Sequence, residues 1–179
     1  MCVGLGVGAF SAGLFHLTTH AFFKAMLFLC SGAVIHALHG EQDMRNMGGL
    51  LKKIPITGWC FIIGTISISG IPVFSGFFSK DEVIGASFGW TGPGALVLAW
   101  STVVTAALTS FYMFRMVFMT FLGEYRGKAH VHEEKHPDPL TWPLIILAVP
   151  SMAAGWVGGN GMEFFSQLFS QGSGYANPF

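Results

Sequence analysis

The chain has 179 residues, and only 10% of them are Asp, Glu, Lys or Arg, against about 25% in a typical soluble domain. Hydrophobic residues make up 52% of the sequence, and nine basic residues balance nine acidic ones to a formal net charge of zero. This composition excludes an ordinary soluble globule, and it excludes the basic surface that binds nucleic acid.

The charged residues are distributed unevenly. Twelve of them lie in two clusters, residues 41–53 and 124–138, and long charge-free runs cover 1–23, 25–40, 54–79, 83–114 and 139–162. A membrane-spanning helix needs about 20 predominantly apolar residues, so this pattern predicts an all-α, polytopic transmembrane helical bundle. The charges outside the clusters are the first candidates for function, and they are Lys24, Lys80, Asp81, Glu82, Arg115 and Glu163.

We predict about four spans. The first helix covers residues 7–37, and the second crossing covers 55–88. Gly70, Pro72 and Gly76 interrupt that second stretch, and each half is too short to cross a hydrocarbon core of about 30 Å, so we predict one discontinuous helix. The third span covers 95–122, and the fourth covers 140–158 with a kink at Pro150.

This count places loops 40–53 and 123–138 on the same side of the membrane. They hold Arg45, Lys52, Lys53, Arg126, Lys128 and Lys135, whereas the opposite side holds neither lysine nor arginine. By the positive-inside rule both loops are predicted to be cytoplasmic.

His16, His20 and Lys24 repeat at four-residue spacing within apolar sequence. Each step along an α-helix drifts by only about 40°, so the three side chains form a column about 12 Å long. Imidazoles both donate and accept hydrogen bonds, and charges at membrane depth normally face a bundle interior or a hydrated cavity. We therefore predict a proton-relay ladder. The alternatives are core histidines with a snorkelling lysine, or a metal site made by the two histidines.

Lys80-Asp81-Glu82 directly follows the predicted helix break. A broken helix is tolerated in lipid only where the freed backbone is buried in protein or lines a cavity, and transporters place ion sites at such interruptions. We predict that Lys80 exchanges protons and that the distance to a carboxylate switches it between holding and releasing one. The alternative is an interfacial charged helix end, with two separate short helices.

Two further patterns carry weaker predictions. Ser101, Thr105 and Thr109 form a hydroxyl stripe that can hold a file of waters, or whose members simply bond carbonyls of their own helix. His130, His132 and His136 share a loop with Glu133 and Glu134, where a solvated loop is the default and metal binding the alternative.

Three segments carry a specific resemblance. They are HLTTHAFFKAMLFL at 16–29, HALHGEQDMRNMGGL at 36–50 and SGIPVFSGFFSKDE at 69–82. Together they resemble the largest antiporter-like subunits of respiratory complex I, the subunit L family of bacterial NADH-quinone oxidoreductase, called subunit 5 in mitochondria. The motifs cover about residues 4–90, and from Gly92 onward the resemblance rests on hydropathy.

The resemblance implies roles for individual residues. His16, His20 and Lys24 would belong to the central hydrophilic axis, Lys80 would be the lysine of the discontinuous helix, and Asp81 would stand near the proton exit. Residues 1–122 would form part of the second inverted repeat, 123–139 a cytoplasmic loop, and 140–179 a further span and tail. The chain is expected to be a fragment of a longer reading frame.

The resemblance also implies a setting. The expected function is proton translocation coupled to NADH oxidation and quinone reduction elsewhere in the complex, so the enzyme activity belongs to the complex. NADH, FMN, iron–sulfur clusters and quinone would bind other subunits, and this chain would hold no cofactor. Its partners would be lipid and other membrane-arm subunits, especially the neighbouring antiporter-like subunit, in the bacterial inner membrane rather than the mitochondrial one.

Two rival functions remain open at this point. One is a subunit of a multisubunit cation/proton antiporter without a link to electron transfer. The other is a structural or assembly element, or a nonfunctional truncation.

Overall fold

The computed structural model describes residues 1–127, 130–134, 137, 139–156 and 167, and within them all regular structure is helical. The α-helices are α1 (Cys2–Gly6), α2 (Phe10–Ala37), α3 (Pro55–Ser69), α4 (Ser75–Gly89), α5 (Ala95–Phe121) and α6 (Trp142–Ala153). Two short 3₁₀ turns, Met44–Asn46 and Leu50–Lys52, lie between α2 and α3. The predicted all-α class is confirmed. Lys128, Lys135, His136, Asp138 and Glu163, which entered the predictions, lie outside the described residues.

The first long helix begins later than predicted. Gly8 adopts a positive φ of 84° and ends α1, and α2 begins at Phe10 instead of residue 7. A Cβ atom at Gly4 would lie 3.2 Å from the Cα of Gly13, so the backbones of α1 and α2 approach closely there. The glycine at position 8 therefore turns the chain back on itself just before α2.

Helices α2 and α5 are the two long and apolar enough to cross a membrane among the described residues. Their 28 and 27 residues correspond to lengths of about 42 and 40 Å. Helix α2 packs against α3, α4 and α6, and its buried face carries Phe23, Met26 and Cys30 at the centre of the core. The outer face of α5 exposes large apolar side chains such as Trp100, Leu108 and Phe111, as expected of a lipid-facing surface.

Helices α3 and α4 run in the same direction along α2. Gly64, in the second half of α3, packs against Leu27 of α2, and Ser79 of α4 contacts His16, eleven residues nearer the start of α2. The order of the contacts along α2 is the reverse of the order along α3 and α4. The two short helices are thus successive halves of one crossing.

The contacts with α5 also indicate that α3 and α4 are successive halves of one crossing. Phe61 of α3 contacts Phe121 with ring centroids 5.1 Å apart. Beyond the break, the Ser87 hydroxyl lies 3.4 Å from that of Thr102. If α3 and α4 formed a hairpin, both helices would contact the same part of α5. The predicted discontinuous helix is confirmed.

Helix α6 is shorter than the predicted span. It covers 12 residues and includes Pro150, which corresponds to about 18 Å and does not cross the hydrocarbon core by itself. Its last turn docks on the helix break, because the Ser151 carbonyl accepts hydrogen bonds from the hydroxyls of Ser67 (2.9 Å) and Ser75 (2.6 Å). The remainder of the predicted span, from residue 157, lies outside the described residues.

The loop after α5 is exposed at His130 and His132, in line with the solvated loop that the sequence favoured, but two of its residues attach it to the bundle. Val131 is 1% exposed, and the Glu134 carboxylate accepts hydrogen bonds from the backbone N–H groups of Ile56 and Thr57 and from the Thr57 hydroxyl. These N–H groups have no partner within α3, and negative charge is favourable at the helix N-terminus. The loop therefore caps α3.

The Glu-Gln-Asp-Met-Arg segment forms a compact turn. The backbone N–H of Asp43 and the Asn46 side chain donate to the Glu41 carboxylate and hold its pKa below the usual value. The backbone N–H and side chain of Arg45 lower the pKa of Asp43 in the same way. Because both pKa values are lowered in the fold, the two carboxylates stabilise the turn at pH values above their ordinary pKa of about 4. This stabilisation is lost as the pH falls through the lowered pKa values.

Replacement of Gly76 by Ala tests the close packing at the break. The added Cβ would overlap the carbonyl oxygen of Ser67, so we expect Gly76→Ala to lower the free energy of unfolding by about 1–3 kcal/mol. The matched control is Gly85→Ala on the same helix, which meets no atom within 4 Å. Denaturant unfolding in detergent measures both variants, and equal stability of the two would contradict the packing.

Removal of the Glu134 carboxylate tests the cap on α3. Glu134→Ala leaves two N–H groups and a hydroxyl without their acceptor, so we expect a loss of about 1–3 kcal/mol. The control is Glu133→Ala, since Glu133 pairs with Lys53 at 3.6 Å on the surface and such pairs contribute at most about 1 kcal/mol. A larger effect of the Glu133 variant would show that the cap is not what holds the loop.

Candidate functional site

A cavity of about 300 Å³ lies where α2, α4 and α5 meet. Its lining brings together residues that are far apart in the sequence, among them His16, His20, Lys80, Ser101, Thr105 and Thr109. Three of the predicted titratable groups and the predicted hydroxyl stripe thus line one cavity. Lys80 lies in the second turn of α4, just after the helix break, and belongs to the same lining.

His16 and His20 lie one above the other on α2. Their ring centroids are 5.8 Å apart, close to the spacing predicted from the four-residue step. The Nδ1 atom of His16 lies 3.1 Å from the hydroxyl of Ser79, and the Thr19 hydroxyl donates to Ser79 at 2.8 Å. Ser79 is fully buried and was not singled out in the sequence, because a lone serine beside a lysine gives no periodic signal.

Lys80 is held by the end of the preceding helix. Its ammonium group donates to the carbonyl oxygen of Ile68 at 2.8 Å. The last carbonyls of a helix lack partners within it and carry the negative end of the helix dipole. A cation at this point satisfies an unpaired carbonyl and is itself stabilised by the dipole.

The other exposed carbonyls at the end of α3 are also satisfied. The Ile66 and Ser67 carbonyls accept from the backbone N–H groups of Ile71 and Gly70. Gly70 adopts a positive φ of 77° to make this turn. The Ser69 carbonyl accepts from the hydroxyl of Ser110 on α5 at 3.2 Å. The carbonyls at the end of α3 are therefore bonded within the protein, as the rule for helix ends at membrane depth requires.

Asp81 and Glu82 do not pair with Lys80. Both are exposed, and the acceptor found for the Lys80 ammonium among the described residues is the Ile68 carbonyl. The partner of Lys80 is thus a backbone carbonyl instead of the predicted carboxylate. The reason is geometric, because consecutive helical residues point about 100° apart and Asp81 turns away from the end of α3.

Lys24 does not share the cavity with His16 and His20. It is absent from the described lining of the cavity, and its Nζ atom lies 5.0 Å from the centre of the Phe28 ring. Two helical steps of four residues accumulate a drift of about 80° from His16, which is enough to move the third member of the column to a neighbouring face.

The hydroxyl stripe bonds its own helix and also lines the cavity. The hydroxyls of Thr105 and Thr109 donate at 2.7 Å to the carbonyls four residues earlier, and that of Ser101 donates to Leu98 at 2.6 Å. Each hydroxyl oxygen keeps lone pairs that can accept hydrogen bonds from water. Tyr112 contributes to the same wall, whereas Arg115 is exposed.

The described part of the chain contains no group of three or more His, Cys, Asp or Glu side chains placed to hold a metal ion. Two histidines, His16 and His20, share the cavity without a carboxylate or thiol. In the loop, His132 packs edge-on against His36 with centroids 6.5 Å apart, and His130 is exposed. His136, the third histidine of that loop, lies outside the described residues.

Comparison with known proteins supports the resemblance. A family model described as NADH:quinone oxidoreductase/Mrp antiporter, TM, matches residues 1–119. NAD(P)H-quinone oxidoreductase chain 5 of Synechocystis sp. is 45% identical over 88% of this chain and 29% of its own length. NADH-quinone oxidoreductase subunit L of Rhodobacter capsulatus is 50% identical over 88% of this chain and 24% of its own length. The similarity thus extends well beyond residue 92. The chain spans about a quarter of the length of these relatives.

Two solved membrane complexes share the fold. The Mrp complex from Dietzia sp. matches with a TM-score of 0.70 and 27% identity, covering 86% of this chain and 36% of that chain. The archaeal membrane-bound sulfane sulfur reductase, a respiratory membrane complex, matches with a TM-score of 0.75 and 25% identity, covering 94% and 26%. The chain is a multi-pass membrane protein that belongs to the NADH:quinone oxidoreductase/Mrp antiporter transmembrane family, as the three motifs predicted.

Proposed function

We propose that this chain conducts protons as part of the membrane arm of an NADH-quinone oxidoreductase. The observation that carries the proposal is the shared cavity, in which two imidazoles and a lysine at a helix break face a stripe of hydroxyls. These groups exchange protons readily, and the surrounding helices are otherwise apolar.

The site residues have different roles in this proposal. His16 and His20 pass protons along α2, and Lys80 stores one at the end of α3. Waters held by Ser101, Thr105 and Thr109 complete the connection. Lys24 lies outside the cavity, so it acts from the neighbouring face of α2, and Asp81 acts from the exposed side of α4 near the exit.

The wider setting is part of the same proposal. Residues 1–122 form part of an antiporter-like repeat, 123–139 a cytoplasmic loop that also holds α3, and 140–179 a further span and tail. Redox cofactors and quinone bind other subunits, and the NADH-quinone oxidoreductase activity belongs to the whole complex. The partners are neighbouring membrane-arm subunits, the adjacent antiporter-like subunit above all, in a bacterial inner membrane with loops 40–53 and 123–138 on the cytoplasmic side.

Lysine substitutions in the assembled complex test the proton role. We expect Lys80→Ala to reduce proton translocation by at least about tenfold, because it removes a proton-exchanging group, and Lys24→Ala to reduce it as well. The measurement is NADH-driven acidification of inverted membrane vesicles. Lys52→Ala, which alters an exposed loop lysine, is the control and should pump at the wild-type rate.

The amount of assembled complex is measured together with pumping, so that a loss of assembly is distinguished from a loss of proton translocation. Normal pumping and growth in both the Lys80 and Lys24 variants, with the complex assembled at wild-type levels, would contradict the assigned roles. Lys80→Arg keeps a cation for the Ile68 carbonyl but does not release its proton at physiological pH. If the Lys80→Arg complex assembles normally but does not pump, proton exchange by Lys80 is needed for pumping in addition to its support of the helix break.

A second candidate function is a cation/proton antiporter, favoured by the shared fold of the Mrp complex. The residues that line the described cavity include no carboxylate, whereas sodium prefers oxygen ligands of that kind. We therefore expect proton translocation to be unchanged when potassium replaces sodium in the vesicle assay. If proton translocation by the unmodified complex requires sodium, and this requirement is absent in the Lys80→Ala variant, the antiporter function is favoured.

A further inference from the structure

Ser79 connects the two titratable elements of the site. It is fully buried on α4, immediately before Lys80, and its hydroxyl faces α2. There it lies 3.1 Å from Nδ1 of His16 and 2.8 Å from the hydroxyl of Thr19. These two contacts are the hydrogen bonds of the Ser79 side chain in the described part of the chain.

The Thr19 hydroxyl donates its hydrogen bond to the Ser79 oxygen. A hydroxyl donates only one hydrogen, and the Thr19 hydroxyl has three acceptors in range. These are the Ser79 oxygen at 2.8 Å, the His16 carbonyl at 3.2 Å and the Phe15 carbonyl at 3.3 Å. The Ser79 oxygen is the nearest of the three acceptors, and the geometry makes Thr19 the donor of this bond.

The hydrogen of Ser79 must then go to His16. With its oxygen accepting from Thr19, the Ser79 hydroxyl has the Nδ1 lone pair of His16 as its acceptor. If Nδ1 carried a proton instead, Ser79 would accept twice and its own hydrogen would be buried without a partner, an arrangement that is strongly disfavoured. We propose that Ser79 is a positioning residue that holds His16 as the neutral tautomer with its proton on Nε2.

This arrangement deepens the proposed function, on which its consequence for proton transfer rests. The Nε2 atom of His16 makes no hydrogen bond within the described residues, and the ring lines the cavity whose wall also includes His20 and Lys80. His16 therefore presents a donor rather than an acceptor to the cavity. Since Ser79 and Lys80 are adjacent on α4, a shift of this helix at the break alters the His16 tautomer and the Lys80 contact together.

Nitrogen-15 magnetic resonance of the assembled complex, labelled at histidine, tests the tautomer directly. The His16 signals are identified as those missing from a His16→Gln complex. We expect the unmodified complex to show a protonated Nε2 and an unprotonated, hydrogen-bonded Nδ1 for His16. In Ser79→Ala the ratio of the two neutral tautomers should fall by about tenfold or more, because the donor to Nδ1 is gone.

Two variants serve as comparisons. Ser79→Thr keeps the hydroxyl and should retain the Nε2 tautomer, which guards against an Ala variant that fails to assemble. Thr18→Val is the matched control on α2, since the Thr18 hydroxyl bonds the Leu14 carbonyl on the exposed side and its loss should leave the His16 signals unchanged. A protonated Nδ1 in the unmodified complex, or the same tautomer ratio in Ser79→Ala, would overturn the inference.

These outcomes are independent of pumping. If Ser79→Ala changes the tautomer while Lys80→Ala still pumps normally, the geometric inference stands and the proposed function fails. If the tautomer is unchanged while Lys80→Ala abolishes pumping, the function stands and the role of Ser79 fails.

Discussion

The hydrogen bond from Lys80 to the Ile68 carbonyl is the interaction on which the site depends. A helix that ends inside a membrane leaves carbonyls that water cannot reach, and each one left unpaired costs several kcal/mol. Backbone turns satisfy two of these carbonyls, a hydroxyl from α5 satisfies the third, and the lysine satisfies the fourth. In the proposed function, the same cation that completes the break also exchanges a proton, so its charge state would be coupled to the geometry of the break.

Helix α3 carries complementary charges at its two ends. Glu134 caps the N-terminus and Lys80 caps the C-terminus, in the order that favours the helix dipole. The 15 residues between them form a rigid connection of about 22 Å between a surface loop and the cavity. The docking of α6 at Ser151 restrains the same break from a third side.

Backbone strain at the break is held by a tertiary contact. Val73 has a positive φ of 84°, a conformation that is costly for a β-branched residue. Its carbonyl accepts a hydrogen bond of 2.9 Å from the indole of Trp156, which follows α6. A residue 83 positions away thus supports the strained turn between the halves of the broken helix, and nothing near Val73 in the sequence indicates it.

The sequence by itself determined the helical class, the discontinuous crossing and most members of the site, because hydropathy, glycine and proline breaks and four-residue spacing are local properties. The roles of Ser79 and Glu134, the later start of α2, the short α6 and the position of Lys24 outside the cavity required the tertiary structure. Ser79 matters only because α4 lies against His16, and Glu134 only because its loop returns to α3. Such partners are chosen by packing between distant segments, which leaves no periodic trace in the chain.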